Sequence, residues 1–223
     1  AAPPTEGTPP LQHTAFLLVL GGGVGSSLSI DGNIHHGATG LIEAGHMIVH
    51  PQGKECACGQ YGCLEMYASG TAIAKRAEEL LMGKGINEEL DAKSVAERAR
   101  SASDATAAKI MGEASAALAT AIIAICRLVD PHVIILAGGV ATKLLLDSVE
   151  QQFEARQWTI LKNNMRIVLA THGENAGVLG AAARAAGAAV ELAPHRRREE
   201  AVSRVDVAAA AGISPETARQ RAL

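Results

Sequence analysis

Aromatic residues are nearly missing from this chain, at two Phe, two Tyr and one Trp in 223 residues. Its core must therefore be assembled from Ala, Leu, Val and Ile rather than from large rings. One-sided charge is missing too: a net charge of −3 creates no field that would draw in nucleic acid or an acidic membrane. The four cysteines do not form the paired spacing of a disulfide scaffold, which points to a reducing compartment and makes the cytoplasm the expected location. No stretch is expected to reach the length and apolarity of a membrane span, and LQHTAFLLVL near the start is too short. The opening AAPPTEGTPP lacks the basic segment of a secretory signal. What is present is a chain of 48% hydrophobic content, long enough for one sizeable core.

Residues 1–12 are Pro-rich and polar and are expected to be disordered. From His13, TAFLLVL is a short apolar run ending in glycines, the pattern of a buried strand. GGGVGSSLSIDGN then reads as glycine turn, strand and a second turn at Asp31-Gly32. Ser69 is placed to cap a helix over 70–82, with Ala74, Ala77, Leu80 and Leu81 on its inner face. Asp91 starts a short helix reaching Arg100. Ser103 or Asp104 starts a long one reaching Leu128, apolar nearly all round and so buried, with Cys126 as a core thiol. Asp130-Pro131 stops it, and HVIILAGGV follows as a fully buried strand. A helix over 141–155, the strand MRIVLAT and an Ala/Gly-rich helix close the pattern. Strands alternating with helices predict an α/β domain whose sheet is largely parallel after an initial hairpin.

The most specific chemistry lies in GHMIVHPQGKECACGQYGC. His46 stands ten residues before Cys56, and Cys58 and Cys63 follow. One imidazole and three thiolates are the ligand class of a closed structural Zn²⁺ site. The competing reading, a disulfide or scattered core thiols, fits less well: Cys56 and Cys58 are too close to pair comfortably, and three thiols leave one over.

Two glycine turns follow apolar strands. In Leu20-Gly21-Gly22-Gly23-Val24-Gly25 the missing Cβ atoms would let backbone N–H groups approach phosphate oxygens. A plain hairpin turn is the alternative, and no Lys-Ser/Thr follows to make a Walker A loop. The second turn, Ala137-Gly138-Gly139, sits at a strand end leading into a helix, where open α/β sheets bind ligands.

These residues give the chain a resemblance to the ROK family of bacterial-type glucokinases, N-acetylhexosamine kinases and sugar-sensing repressors. It is carried by LGGGVG, by E-A-G-H at Glu43–His46, by CACGQYGCLE at Cys56–Glu65, and by YASG, ILAGGV and ENAGVLGAA, from about Phe16 to Ala189. The resemblance implies the C-terminal lobe of an actin-like (ribonuclease H-like) ATPase over 13–190, with a mixed sheet, helices and an inserted zinc loop over 45–65. It implies that Glu43, His46 and Glu65 bind hydroxyls of a hexose or N-acetylhexosamine. Zn²⁺ would be held by His46, Cys56, Cys58 and Cys63. ATP with Mg²⁺ would be co-substrate, its phosphates facing Gly21, Gly22, Gly23 and Gly25 and its adenosine lying by Gly138 and Gly139. Without the family to support them, Glu43 and Glu65 would read equally well as two exposed acids flanking a loop.

The sequence departs from the family pattern in three places. Gly22 replaces the Thr of LGTGVG, removing a hydroxyl that could touch phosphate. The stretch between Gly40 and Glu43 is one residue short. The family's N-terminal D-x-G-G-T loop and Asn-Asp pair do not occur, so no catalytic base is identifiable, and the base is expected from a missing N-terminal lobe. The expected function is hexose 6-hydroxyl phosphorylation of the glucokinase type. The alternatives are an N-acetylmannosamine or N-acetylglucosamine kinase and, from another class, a sugar-sensing transcriptional regulator. An exposed inter-lobe face favours self-association, so a homodimer is expected. Residues 191–223 read as a charged, Ala-rich helical tail, although VDVAAAAGISPETARQRAL also resembles a helix-turn-helix, with Ser214 capping before Pro215 and Arg219 and Arg221 able to reach a groove.

Overall fold

A computed structural model describes residues 13–40, 42–82, 90–101, 104–156 and 165–182. The Pro-rich start, the tail from 191 and its helix-turn-helix-like segment lie outside the described residues. Five strands form one sheet: β1 (Thr14–Leu20), β2 (Val24–Ile30), β3 (Asn33–His35), β4 (Val133–Ala137) and β5 (Arg166–Leu169), in the order β3-β2-β1-β4-β5. The first three form antiparallel hairpins, while β4 pairs parallel to both β1 and β5. The turn between β2 and β3 is built as the sequence dictates, with Asp31 at φ 52° and Gly32 at φ 77°, the left-handed pair that a tight hairpin requires.

The helices follow their capping residues. After a single 3₁₀ turn (Ala44–His46) come α1 (Glu65–Ala68), α2 (Gly70–Met82), α3 (Ala92–Arg98), α4 (Ala105–Val129) and α5 (Lys143–Arg156). The Ser69 hydroxyl accepts the Ala72 N–H, the Asp91 carboxylate the Ser94 N–H, and the Asp104 carboxylate the Ala107 N–H. Helix α4 ends at Asp130, which turns left-handed at φ 48° ahead of Pro131. A last helix begins within 176–182.

Alternation along β1 buries Phe16, Leu18 and Leu20 on one face, in register with Ile134 and Leu136 of β4. This face forms one core with Leu118 and Ile122 of α4 and with Leu145, Val149 and Phe153 of α5. Cys126 is buried in the same core, and burial pushes its thiol up to about 11.

Four expectations are corrected. The buried face of α2 carries the expected Ala77 and Leu81 but is led by Ile73 rather than Ala74, with Leu80 packed half-buried against the core, because residues 73, 77 and 81 stack four apart on one face. Helix α5 starts at Lys143 rather than 141, since Ala141 still bonds back to Gly138 and the Thr142 hydroxyl accepts the Leu145 N–H. The short helix α1 has no counterpart in the sequence reading. Finally, α4 is long and apolar enough to cross a membrane by length and composition, although no continuous apolar run announced it; 56% of its most apolar window is buried in the core. Lys109, Glu113 and Arg127 break the run, but an 18-residue stretch of the helix holds no more than two of them and stays apolar enough.

Candidate functional site

All the candidate side chains stand at or beside the end of the sheet where β1 and β4 finish. Leu20 closes β1, and its carbonyl accepts the Val140 N–H at 3.1 Å, so the two glycine turns are bonded to each other. Gly138 takes φ 93° there, and a Cβ would run into the Leu20 backbone. Gly21 accepts the Gly70 N–H at 2.7 Å, which seats the start of α2 on the first turn. Gly22 and Gly23 are exposed at the tip, whereas Gly25 already lies inside β2 opposite Val19, and Gly139 is exposed before α5. The hydroxyl lost at Gly22 has a neighbour: a Cβ there would sit 3.7 Å from Thr71 Oγ1, a side chain that sequence reasoning did not single out.

The E-A-G-H segment is held against β2. The Ser26 hydroxyl donates to the Ile42 carbonyl and accepts the Ala44 N–H at 2.9 Å. Those bonds flank Glu43 on both sides and fix its backbone, while its carboxylate stays exposed. The His46 N–H returns to the Glu43 carbonyl at 3.0 Å, closing the 3₁₀ turn that sets glutamate and imidazole on one short arc. Gly45 packs so tightly on the Val24 carbonyl that no Cβ could fit. Ser26 was also missed by sequence reasoning, because a serine inside a strand carries no local signature.

Glu65 arrives from the other side. Its Oε2 accepts the Val24 N–H at 2.8 Å, across 41 residues of sequence. The Val24 N–H is therefore bonded to Glu65, and the Val24 C=O has the Gly45 backbone packed against it. The segment that carries Glu43 and His46 and the one that carries Glu65 thus meet at the same residue, through Gly45 on one side and the Glu65 carboxylate on the other.

The knuckle between them brings its four donors together. One ligand atom from each of His46, Cys56, Cys58 and Cys63 lies within 4.8 Å of every other. Cys56 Sγ is 3.6 Å from His46 Nδ1, and Cys58 Sγ is 3.5 Å from Cys63 Sγ. Metal bonds of roughly 2.0–2.3 Å in a tetrahedron imply edges of about 3.4–3.8 Å, so two edges already have metal-site length. The thiols gain little from one another without a cation. Burial, then the hydrogen bonds and charges of Cys58 and Cys56, pushes the Cys63 thiol up to about 12. The Gln60 backbone N–H draws the exposed Cys58 thiol below its ordinary value. Three thiolates this close need a divalent cation, and the donor set suits zinc. The loop is braced by its own backbone: Gly62 takes φ 76° against the His50 carbonyl, Val49 and His50 both donate to the Gly62 carbonyl, and the Tyr67 hydroxyl accepts the Lys54 N–H.

Comparisons with known proteins place the chain in a family. The ROK family model matches residues 9–188. Glucokinase of Halalkalibacterium halodurans is 37% identical over 178 residues, covering 74% of this chain and 54% of that protein. N-acetyl-D-glucosamine kinase of Mannheimia succiniciproducens is 33% identical over 184 residues, covering 74% and 57%. A ROK family glucokinase from Streptomyces griseus, crystallised with glucose and AMPPNP, superimposes with a TM-score of 0.67 at 28% identity, over 77% of this chain and 60% of that one. The chain thus spans about half the length of the curated relatives it matches. With its glycine turns, its E-A-G-H arc and its four-donor knuckle on this sheet, the chain belongs to the ROK family.

Proposed function

We propose that this chain forms the sugar-binding lobe of an ATP-dependent hexose kinase of the glucokinase type, acting on the 6-hydroxyl with Mg²⁺. The observation that carries the reading is that Val24 joins the two candidate sugar-binding segments, with Glu65 on its N–H and Gly45 of the Glu43–His46 arc packed on its carbonyl, beside the joined glycine turns. The likeness to a glucokinase holding glucose and AMPPNP supports a hexose and a nucleotide as neighbours on this surface. The strand order 3-2-1-4-5, with only β2 antiparallel to its neighbours, supports the ribonuclease H-like lobe of an actin-like ATPase.

Each group has a physical role in this reading. The carboxylates of Glu43 and Glu65 accept hydroxyl protons of the sugar, and such charge-assisted bonds are short and directional. His46 offers Nδ1 to the cysteine cluster, which leaves Nε2 for a sugar hydroxyl and fixes the ring. The bare turns at Gly21–Gly23 and Gly138–Gly139 admit phosphates and adenosine, with Thr71 Oγ1 supplying a hydroxyl beside Gly22. When bound by His46, Cys56, Cys58 and Cys63, Zn²⁺ supplies a rigid structural anchor for the knuckle. Phosphoryl transfer depends chiefly on positioning and charge stabilisation, and positioning is what these residues provide. A cytoplasmic homodimer completes the proposal.

An N-acetylhexosamine kinase is the second reading, favoured by the N-acetyl-D-glucosamine kinase among the relatives. Calorimetric titration with glucose, N-acetylglucosamine and N-acetylmannosamine separates the two. Saturable binding tightest for glucose, and weakened by both Glu43→Gln and Glu65→Gln, is expected. A tighter N-acetylhexosamine would transfer the assignment to the second reading, and no saturable binding of any of the three would refute both.

A further inference from the structure

The glycine turn after β1 is expected to serve phosphates, yet one of its residues faces something else. Gly23 does not have a left-handed φ, so its backbone would accept any L-residue. The obstacle to a side chain is a single group: a Cβ at position 23 would lie 2.6 Å from Glu65 Oε2, 3.3 Å from its Cδ and 3.9 Å from Oε1, with no other atom nearer. The next residue, Val24, is buried and donates its N–H to that same Oε2 at 2.8 Å. The two neighbouring positions differ. A Cβ at 21 would meet nothing within 4 Å, and one at 22 would make only an ordinary contact with Thr71 Oγ1.

From this we infer that Gly23 and the Val24 N–H are positioning groups for Glu65. Together they form a seat that takes one oxygen of the carboxylate and leaves Oε1 directed to the sugar. The inference rests on the reading of Glu65 as a sugar ligand, and it gives the first turn a second task beyond admitting phosphate. The bare Cα at 23 sets how far the carboxylate can withdraw, and the Val24 N–H fixes which oxygen is occupied. A methyl group at 23 drives the carboxylate off the seat, because the glutamate tip is flexible while the turn is held by the Gly70 and Val140 N–H groups.

The test is a double-mutant cycle read by glucose calorimetry. Gly23→Ala is expected to weaken glucose binding about tenfold, the size of one lost charge-assisted hydrogen bond, while zinc content stays at the wild-type value and the protein still melts cooperatively, a few degrees lower for the lost Val24 bond. In a Glu65→Ala background the same change is expected to alter glucose affinity by less than twofold, because the group it displaces is gone. A Gly23→Ala protein that binds glucose like the wild type, or that loses affinity equally in both backgrounds, overturns the inference. Glu65→Ala alone keeps the two claims apart: unchanged glucose affinity there removes the sugar-ligand reading itself. A second readout does not depend on the variant folding well. The Val24 amide proton of ¹⁵N-labelled protein is expected to shift on adding glucose and to lose its exchange protection in Glu65→Ala; an amide indifferent to both overturns the seat.

Discussion

Replacing Cys58 by Ala tests the metal site with little collateral damage. Cys58 is exposed while Cys56 and Cys63 are buried, so its removal deletes a ligand without opening a cavity. The loss of stability should then equal the loss of metal linkage alone. A cation at 100 to 1,000 times its dissociation constant stabilises the native state by about 2.7–4.1 kcal/mol. For a chain of this size each kcal/mol moves the melting temperature by roughly 2–4 °C, so the wild type should melt about 5–16 °C higher with zinc than after chelation. Cys58→Ala should melt with the chelated wild type whether or not zinc is present, and metal analysis should fall from about one zinc per chain to well below that. Cys126→Ala is the control: it loses core packing, about 1–2 kcal/mol, but keeps the metal. If the purified wild type is metal-free and its melting is blind to chelators, or if Cys58→Ala retains full zinc, the four-donor assignment fails.

Ser26→Ala removes two bonds that fix the backbone around Glu43, and glucose affinity should fall about tenfold with melting little changed; unchanged affinity would show that the arc holds itself. Asp104 is held below the ordinary carboxylate range near 3.8, first by the Ala107 N–H and then by Arg98. Because the native pKa is depressed, this contribution is complete above about pH 4 and is lost as pH falls through the native value. Asp104→Ala should therefore cost about 1 kcal/mol at pH 7 and converge with the wild type in acid unfolding once the pH has fallen below the native value; a gap that persists there would mean the cap does not act through its charge. Burial raises the Cys126 thiol to about 11, so at pH 8 it should resist thiol reagents in native, metal-stripped protein and react only on unfolding, as judged by peptide mapping.

Much of the fold was legible because its signals are local. Asp31-Gly32 announces a hairpin, and Ser69, Asp91 and Asp104 announce helix starts within three residues of the N–H groups they accept. The cysteine cluster was legible for the same reason: Cys56, Cys58 and Cys63 share one loop, and only His46 comes from farther away. The contacts that sequence reasoning missed are long-range and use ordinary residues. Ser26 reaches the 42–44 segment across 16 and 18 positions, and Glu65 reaches Val24 across 41. A strand serine or a glutamate at a helix start looks alike whether or not such a partner exists. Thr71 was overlooked because its value depends on the glycine opposite, which the sequence marked as a loss.

The site's backbone contacts explain why its substitutions should differ so widely in effect. Leu20 to Val140, Gly21 to Gly70 and Val24 to the Gly45 turn are meetings of main chain with main chain. Nothing at these points can rotate away, so a side chain added at 45 or 138 must move a strand, and it should damage folding as much as binding. Position 23 differs in kind because its neighbour is the flexible end of a glutamate, which can yield without disturbing the sheet. Damage there should appear chiefly in ligand affinity, with only the lost Val24 bond showing in stability. Three neighbouring turns thus hold residues whose mutation disrupts the scaffold, at 45 and 138, and one whose mutation bears on the chemistry, at 23, and the last gives a test of function that a folding defect does not readily imitate.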